Sequence, residues 1–285
     1  MVEGLHGVRY AKALTCLRET VEICRMVFAG EKVRYAGKIF ELPLPDSEGK
    51  AIRISHDPVS IPIYLATLGP NALRYTGAAT DGWLGTSFSP DRAGAHLDLL
   101  REGARDAGRS DDALDLAVSV RVEIGEDVAA IIDKRRDAVA FKMGGMSSAT
   151  TNFYNDAFVR AGYADDAKAI QALWLDGKRE AAANRVPDAM VTEFQAIGTH
   201  DMVRERLRRY RDAASRPSSS AWTVRVRLAR HDTRCWKPSW TWSAGSTPRR
   251  RVLRQTRVPR RATPDRRCHR SVRHPRAVQR TDRDP

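Results

Sequence analysis

Ile61-Pro62-Ile63-Tyr64-Leu65-Ala66-Thr67-Leu68-Gly69-Pro70-Asn71-Ala72-Leu73, followed closely by Ala79-Thr80-Asp81-Gly82-Trp83, decides the fold. The stretch 61–67 is an apolar run with Pro near its start, which predicts a buried strand. Gly69-Pro70 breaks the run, and a helix follows over 71–79. Asp81-Gly82 then turns the chain into a short strand over 83–86. Strand, helix and strand in so short a span predict parallel strands joined by a crossover helix.

The alternation continues on the C-terminal side. Ser89-Pro90-Asp91 opens a helix with Ser89 as N-cap and Pro90 at the first position, and the helix runs to Ala107 and stops at Gly108. Val118, Val120, Val122 and Ile124 alternate in the next strand, 114–124, and a helix follows over 127–142. After Gly144-Gly145 the pattern changes to shorter helices at 152–160, 165–175, 178–184 and 187–195. Gly198-Thr199-His200-Asp201 opens a last helix, 202–213, with Thr199 as N-cap. On the N-terminal side, Leu14, Leu17, Val21, Cys24 and Val27/Phe28 stripe a helix over 9–29 that Gly30 ends. A small hairpin over 32–42 turns at Gly37-Lys38. This order predicts a parallel α/β sheet, and without a G-x-G-x-x-G after any strand a dinucleotide fold is not expected. The expectation is a partial (β/α)8 barrel, its C-terminal half, since a whole barrel takes about 250 residues. The helices within 147–195 are an insertion in it.

Composition divides the chain at about Ser215. Residues 1–215 hold 29 Lys+Arg against 31 Asp+Glu, whereas 216–285 hold 20 against four, so the whole-chain charge of +14 comes from the tail. A basic, Pro-rich tail suggests a nucleic-acid arm. The genetic code offers another reading. Taking the third base of each codon with the first two of the next turns Cys235–Ser243 into Leu-Glu-Ala/Thr-apolar-apolar-Asp-apolar-Val, an amphipathic helix. Pro217–Thr223 becomes a buried strand in the same frame. The expectation is therefore a low-order basic tail, 216–285, translated out of frame, with nucleic acid not a partner. A stop codon in the alternative frame between Arg216 and Ser243 would end that reading.

No run of about 18 apolar residues predicts a membrane helix, and Met1-Val2-Glu3-Gly4 does not open a secretory signal. Cys16 and Cys24, eight apart on one helix, have neither zinc spacing nor disulfide logic, so a reduced cytoplasmic setting and no metal are expected.

Four stretches resemble a known family. They are Val2-Glu3-Gly4-Leu5-His6-Gly7 leading into Leu17-Arg18-Glu19-Thr20-Val21-Glu22-Ile23; the hairpin Val33 to Leu42; Pro62 to Leu73 with Ala79-Thr80-Asp81-Gly82; and Gly198 to Leu207. In order and spacing they resemble the luciferase-like monooxygenases, in particular the deazaflavin (coenzyme F-420)-dependent oxidoreductases, which are (β/α)8 barrels. The resemblance implies a chain that starts after the fourth barrel strand. It implies hydride transfer or monooxygenation on a small-molecule substrate, with a deazaflavin or alternatively FMN, impaired in a fragment that lacks the first strands. It leaves homo-oligomer formation open.

Barrel sites lie at the C-terminal ends of the strands. A Thr hydroxyl, a Gly that admits close backbone approach and a helix N-terminus suit a phosphate. In the resembling family the equivalent loop holds the flavin or deazaflavin phosphate. Thr67, Leu68, Gly69 and Asn71 are therefore the candidate cofactor residues, chiefly through backbone N–H groups. The plainer reading is a strand end that caps a helix. Other residues read as structural: His6 as a solvent-facing loop residue, His96 and His200 as surface or cap residues, and Glu123, Glu126 and Asp127 as helix-start acids. Trp83 and Trp174 read as core, and Arg204, Arg206, Arg208 and Arg209 as a solvated face. No residue is assigned a catalytic role.

Overall fold

Helices between strands that run the same way are what the alternation dictates, and the computed structural model has them. It describes residues 2–110, 113–146, 148, 150–214 and 222–228. All fall in the first of two compact units, Met1–Gly245; Ser246–Pro285 lies outside the described residues. The chain opens with α1 (Val2–His6), α2 (Ala13–Phe28) and the hairpin β1 (Tyr35–Ala36) and β2 (Glu41–Leu42). Then come β3 (Tyr64–Leu65), α3 (Pro70–Ala79), β4 (Gly82–Gly85), a 3-10 turn (Pro90–Arg92), α4 (Gly94–Asp106) and β5 (Asp115–Ile124). After β5 comes α5 (Val128–Gly144), and the expected insertion holds α6 (Phe153–Arg160), α7 (Ala164–Leu175), α8 (Arg179–Asn184) and α9 (Asp188–Thr192). The described chain ends with β6 (Ala196–Gly198), α10 (His200–Ala214) and β7 (Trp222–Leu228).

The sheet order is β3-β4-β5-β6, every pair parallel, and β7 also pairs with β5 in parallel. Register assigns the faces. Leu65, Trp83 and Leu116 stand side by side, and so do Tyr64, Gly82 and Asp115. The Tyr64 hydroxyl reaches across to Asp115 Oδ2 at 2.5 Å. It crosses Gly82, where a Cβ would lie 2.2 Å from the Tyr64 ring. Trp83, Leu116, Val118, Val120 and Val122 form one core with Leu73 of α3, Leu97 and Leu100 of α4 and Tyr210 of α10. A second core gathers α5 to α9 around Met143, Phe158, Ile170 and Met190. Asn152 stitches the insertion to α5. Its side chain caps α6 at Tyr154 and Asn155 and donates to the Lys142 and Met143 carbonyls that end α5.

The tightest packing joins α3 to α4. A Cβ on Gly77 would stand 1.9 Å from the Leu100 carbonyl oxygen, and one on Gly103 would stand 1.9 Å from that of Arg74. Glycine on both helices lets the backbones touch, as no other residue would. Two arginines close the far end of α3: Arg25 donates to Ala79 O (2.5 Å), and Arg109 to Gly77 O (2.6 Å) and Thr80 O (2.8 Å). They satisfy carbonyls that the last helical turn leaves open.

The hairpin is held by one carboxylate. Glu19 of α2, 5% exposed, accepts from the backbone N–H groups of Lys38 (2.7 Å), Ile39 (3.0 Å) and Phe40 (2.8 Å). Burial alone would raise its carboxyl; the three N–H groups outweigh that and hold it below the usual range.

Several expectations change. The strand expected over 61–67 shrinks to Tyr64–Leu65. Pro62 has no N–H to give a ladder, and Ile63 N bonds to the Asp81 carboxylate (2.8 Å) instead of to a strand. Three-residue β6 was not expected. Neither was β7, which lies in the stretch assigned to the low-order tail; the alternation Trp222-Thr223-Val224-Arg225-Val226-Arg227-Leu228 fits a strand in the visible frame. The remaining tail, 229–285, and the helix read in the shifted frame lie outside the described residues. His96, expected at the surface, is 1% exposed. Arg206, expected on a solvated face, has an 11% exposed side chain bonded to Asp91. Trp83 is core, as read.

Two outcomes follow from this packing. Gly103→Ala would gain about 1 kcal/mol on an open helix surface, but here overpacking makes it lose about 1–3 kcal/mol in urea unfolding. A stability gain would show that the two helices separate at no cost. The second concerns His96, whose pKa burial, helped by Arg160, lowers to about 4 from 6.5. Between those values the unfolded chain binds more protons than the folded one. His96 stabilisation is thus complete above pH 6.5 and lost as pH falls toward 4, on the order of 3 kcal/mol. His96→Leu removes that part of the acid loss, read as the difference between the two chains' stability–pH curves.

Candidate functional site

The loops that leave the C-terminal ends of β3, β4 and β5 hold the candidate residues. Thr67 is buried, and its hydroxyl lies 2.8 Å from that of Thr76 on α3. Thr76 spends its proton on Ala72 O (2.8 Å), so Thr67 is the donor of the pair. The Thr67 carbonyl accepts from the Trp83 indole at 2.9 Å. Its hydroxyl is thus committed to anchoring the loop, and the contribution expected from it falls to the backbone.

Leu68 is buried, and its carbonyl accepts from Arg160 Nη2 at 2.6 Å. Gly69 is the N-cap of α3 in extended conformation, and Pro70 takes the first helical position. A Cβ at Gly69 would meet only the Phe153 ring, at 3.6 Å. Asn71 is exposed. The N–H groups of Asn71 and Ala72 belong to the first turn, where no intrahelical acceptor exists. Leu68, Gly69 and Asn71 therefore form a loop that presents backbone donors and the positive end of a helix, under the insertion helix α6.

The next loop lies beside it. Ser87 has φ 51°, the left-handed region, on a residue other than glycine. Ser87 and Ser89 are 7% and 1% exposed. Ser89 precedes the 3-10 turn as expected of a cap, but its side chain makes no capping bond. Their hydroxyls, both ring nitrogens of His96 and Arg160 Nε are buried with no hydrogen-bond partner among the described residues. The His96 ring centroid is 5.4 Å from that of Trp83 and 6.1 Å from that of Phe88. The loop is tied down from α10: Tyr210 OH donates to Phe88 O (3.0 Å), and Arg206 and Arg209 pair with Asp91. Burial pulls the Arg160 guanidinium below its usual range, against the opposing charge of Asp156.

At the end of β5, Glu123 pairs with Arg135 and with Lys134 (3.1 Å). Asp127 caps α5 by accepting from Ala130 N at 3.0 Å. Asp127 is at a helix start, as read, whereas Glu123, read as another such acid, lies in β5 and serves to tie α5 to the strand. An open cavity of about 380 Å³ lies there, lined in part by Glu123, Gly125 and Asp127. One of about 370 Å³ lies at the opposite ends of the strands, beside Arg25 and Asp81. Size does not separate them; position at the C-terminal ends favours the first. His6 and His200 are exposed.

Ser87 and Ser89 were given no ligand role from the sequence, Ser89 being read as an N-cap, and Arg160 escaped that reading. Thr86-Ser87-Phe88-Ser89 follows a strand and was open to notice on that ground, whereas nothing in the sequence links Arg160 to a loop 92 positions away. Among the described residues no helix is long and apolar enough to cross a membrane.

Comparison with known proteins places this geometry. The family model described as luciferase-like monooxygenase matches residues 1–216. A Mycobacterium tuberculosis protein named as a coenzyme F-420-dependent oxidoreductase is 33% identical over 216 residues, 73% of this chain and 62% of the relative. The 5,10-methylenetetrahydromethanopterin reductase of Archaeoglobus fulgidus is 28% identical over 206 residues, 70% of this chain and 58% of the relative. Among solved structures, the coenzyme F-420-dependent tetrahydromethanopterin reductase of Methanopyrus kandleri superposes with a TM-score of 0.52 at 24% identity, over 74% of this chain and 57% of that one. The chain spans about three fifths of the length of these relatives. The match covers residues 1–216, well over half of the chain, and the chain therefore belongs to the luciferase-like monooxygenase family.

Proposed function

We propose that this chain carries the cofactor-phosphate site of a deazaflavin-dependent oxidoreductase that acts on a small molecule. The observation that carries the reading is the β3–α3 loop. Leu68 and Gly69 pass from a buried strand end into a helix whose first-turn N–H groups at Asn71 and Ala72 have no intrahelical acceptor. The residues fit the group: Gly69 has no side chain to screen its backbone N–H, and Thr67 is fixed from beneath by Thr76 and Trp83. The named dependence of the M. tuberculosis and M. kandleri proteins on coenzyme F-420 favours the deazaflavin over FMN.

When bound, a deazaflavin supplies hydride transfer. The chain's share is to hold and orient. Backbone N–H groups of Leu68, Gly69 and Asn71 receive the phosphate, and the helix pole lowers the cost of its charge. Thr67, through its two buried hydrogen bonds, keeps the loop from following the ligand. Proton donors and ring-stacking groups are not assigned to residues of this chain.

A substitution with opposite effects on two measurements tests the reading. Asn71→Asp places a carboxylate in the first turn of α3. It stabilises the chain by about 0.3–1 kcal/mol through the helix dipole, while repulsion of phosphate weakens cofactor binding by about tenfold or more. Thermal unfolding reads the first and fluorescence titration with coenzyme F-420 the second. Unchanged affinity would remove the phosphate from this loop.

A further inference from the structure

Five buried polar atoms without a partner lie in one neighbourhood: the hydroxyls of Ser87 and Ser89, both ring nitrogens of His96, and Arg160 Nε. Unpaired buried polar groups cost free energy, and natural proteins keep few of them. Contacts tie Arg160 to the β3–α3 loop and His96 to the residue between the two serines. Arg160 donates to the Leu68 carbonyl, His96 packs against Trp83 and Phe88, and Trp83 donates to the Thr67 carbonyl. Phe88 stands between the two serines in sequence. Among the described residues no carboxylate lies within ion-pair distance of Arg160, although burial disfavours its charge. Ser87 is held in the left-handed region, a conformation that surrounding structure must support.

A guanidinium with an unpartnered Nε–H and two unpartnered hydroxyls are donors suited to a phosphate oxyanion. We infer that Arg160 of α6, with Ser87 and Ser89 of the β4–α4 loop, forms a second wall of the phosphate site, so that the cofactor phosphate is bound between two loops and under the insertion. The inference rests on the reading of the β3–α3 loop given above and adds its cationic partner. His96 is neutral at pH 7 and completes the wall as a hydrogen-bonding group without adding charge.

FMN and riboflavin differ by the phosphate alone and serve as probes on the full chain, with inorganic phosphate as competitor. The wild-type chain binds FMN more tightly than riboflavin by about tenfold or more, and phosphate displaces FMN. Arg160→Met brings the two affinities together, Arg160→Lys keeps part of the difference, and Ser89→Ala reduces it. Riboflavin affinity stays constant throughout, which shows the fold intact; should Arg160→Met fail to fold, the other two variants carry the comparison. Equal weakening of both ligands by Arg160→Met, or an undiminished preference for FMN, overturns the inference. The β3–α3 reading then still stands if Asn71→Asp weakens FMN. Phosphate that binds without displacing FMN also overturns it, since the wall would then serve another phosphate. If the wild-type chain binds neither ring, titration with coenzyme F-420 remains the test of the cofactor reading. Phosphorus NMR then decides the wall alone: broadening of the inorganic phosphate signal by the wild-type chain and not by Arg160→Met supports it, and no broadening by either overturns it.

Discussion

The contact of α3 with α4 through Gly77 and Gly103 sets the rest of the site. Each helix begins where one site loop ends, so the separation of the two backbones fixes the separation of the loops. Backbone touches backbone at both glycines, and no flexible side chain lies between to give way. Packed interiors transmit such constraints because they compress little. Trp83 then ties the loops to each other, its ring in the core and its indole N–H on the Thr67 carbonyl.

The site is built by withdrawing polar groups from competition. Thr67, Thr76, Asp127 and Glu123 each have a partner, and each holds a backbone or a neighbouring side chain in place. Ser87, Ser89 and His96 are buried and have none among the described residues. That contrast within one sheet end separates groups that shape the site from groups left to meet a ligand. The insertion takes part through Arg160 and Phe153, which reach the β3–α3 loop from α6.

Legibility in the sequence followed the physics of local signals. Apolar runs and glycine breaks placed β3, β4, β5 and the helices between them, because burial and chain reversal leave periodic marks. Thr199 was legible as a cap, since capping needs a short polar side chain at a fixed place, and Asp127 as an acid at a helix start. β6 was not, because three residues carry no period. His96 misled because a histidine on a polar-looking helix is usually exposed, and its burial depends on Trp83 and Phe88 arriving from another strand and loop. Arg206 misled similarly: its partner Asp91 is 115 positions away. Thr67 was read for its hydroxyl as well as its backbone, yet beyond the end of β3 that hydroxyl meets Thr76 of α3, a pairing that no local pattern marks.

The Glu19 clasp bears on the order in which the chain folds. A ladder of two residues per strand has little stability of its own, and three N–H groups of this hairpin turn are satisfied by a carboxylate 19 to 21 positions upstream. The turn therefore cannot be completed before α2 has formed and brought Glu19 into place. Helix and hairpin close a short loop at small entropic cost, which makes them a local folding unit that assembles without waiting for the long-range pairing of the sheet.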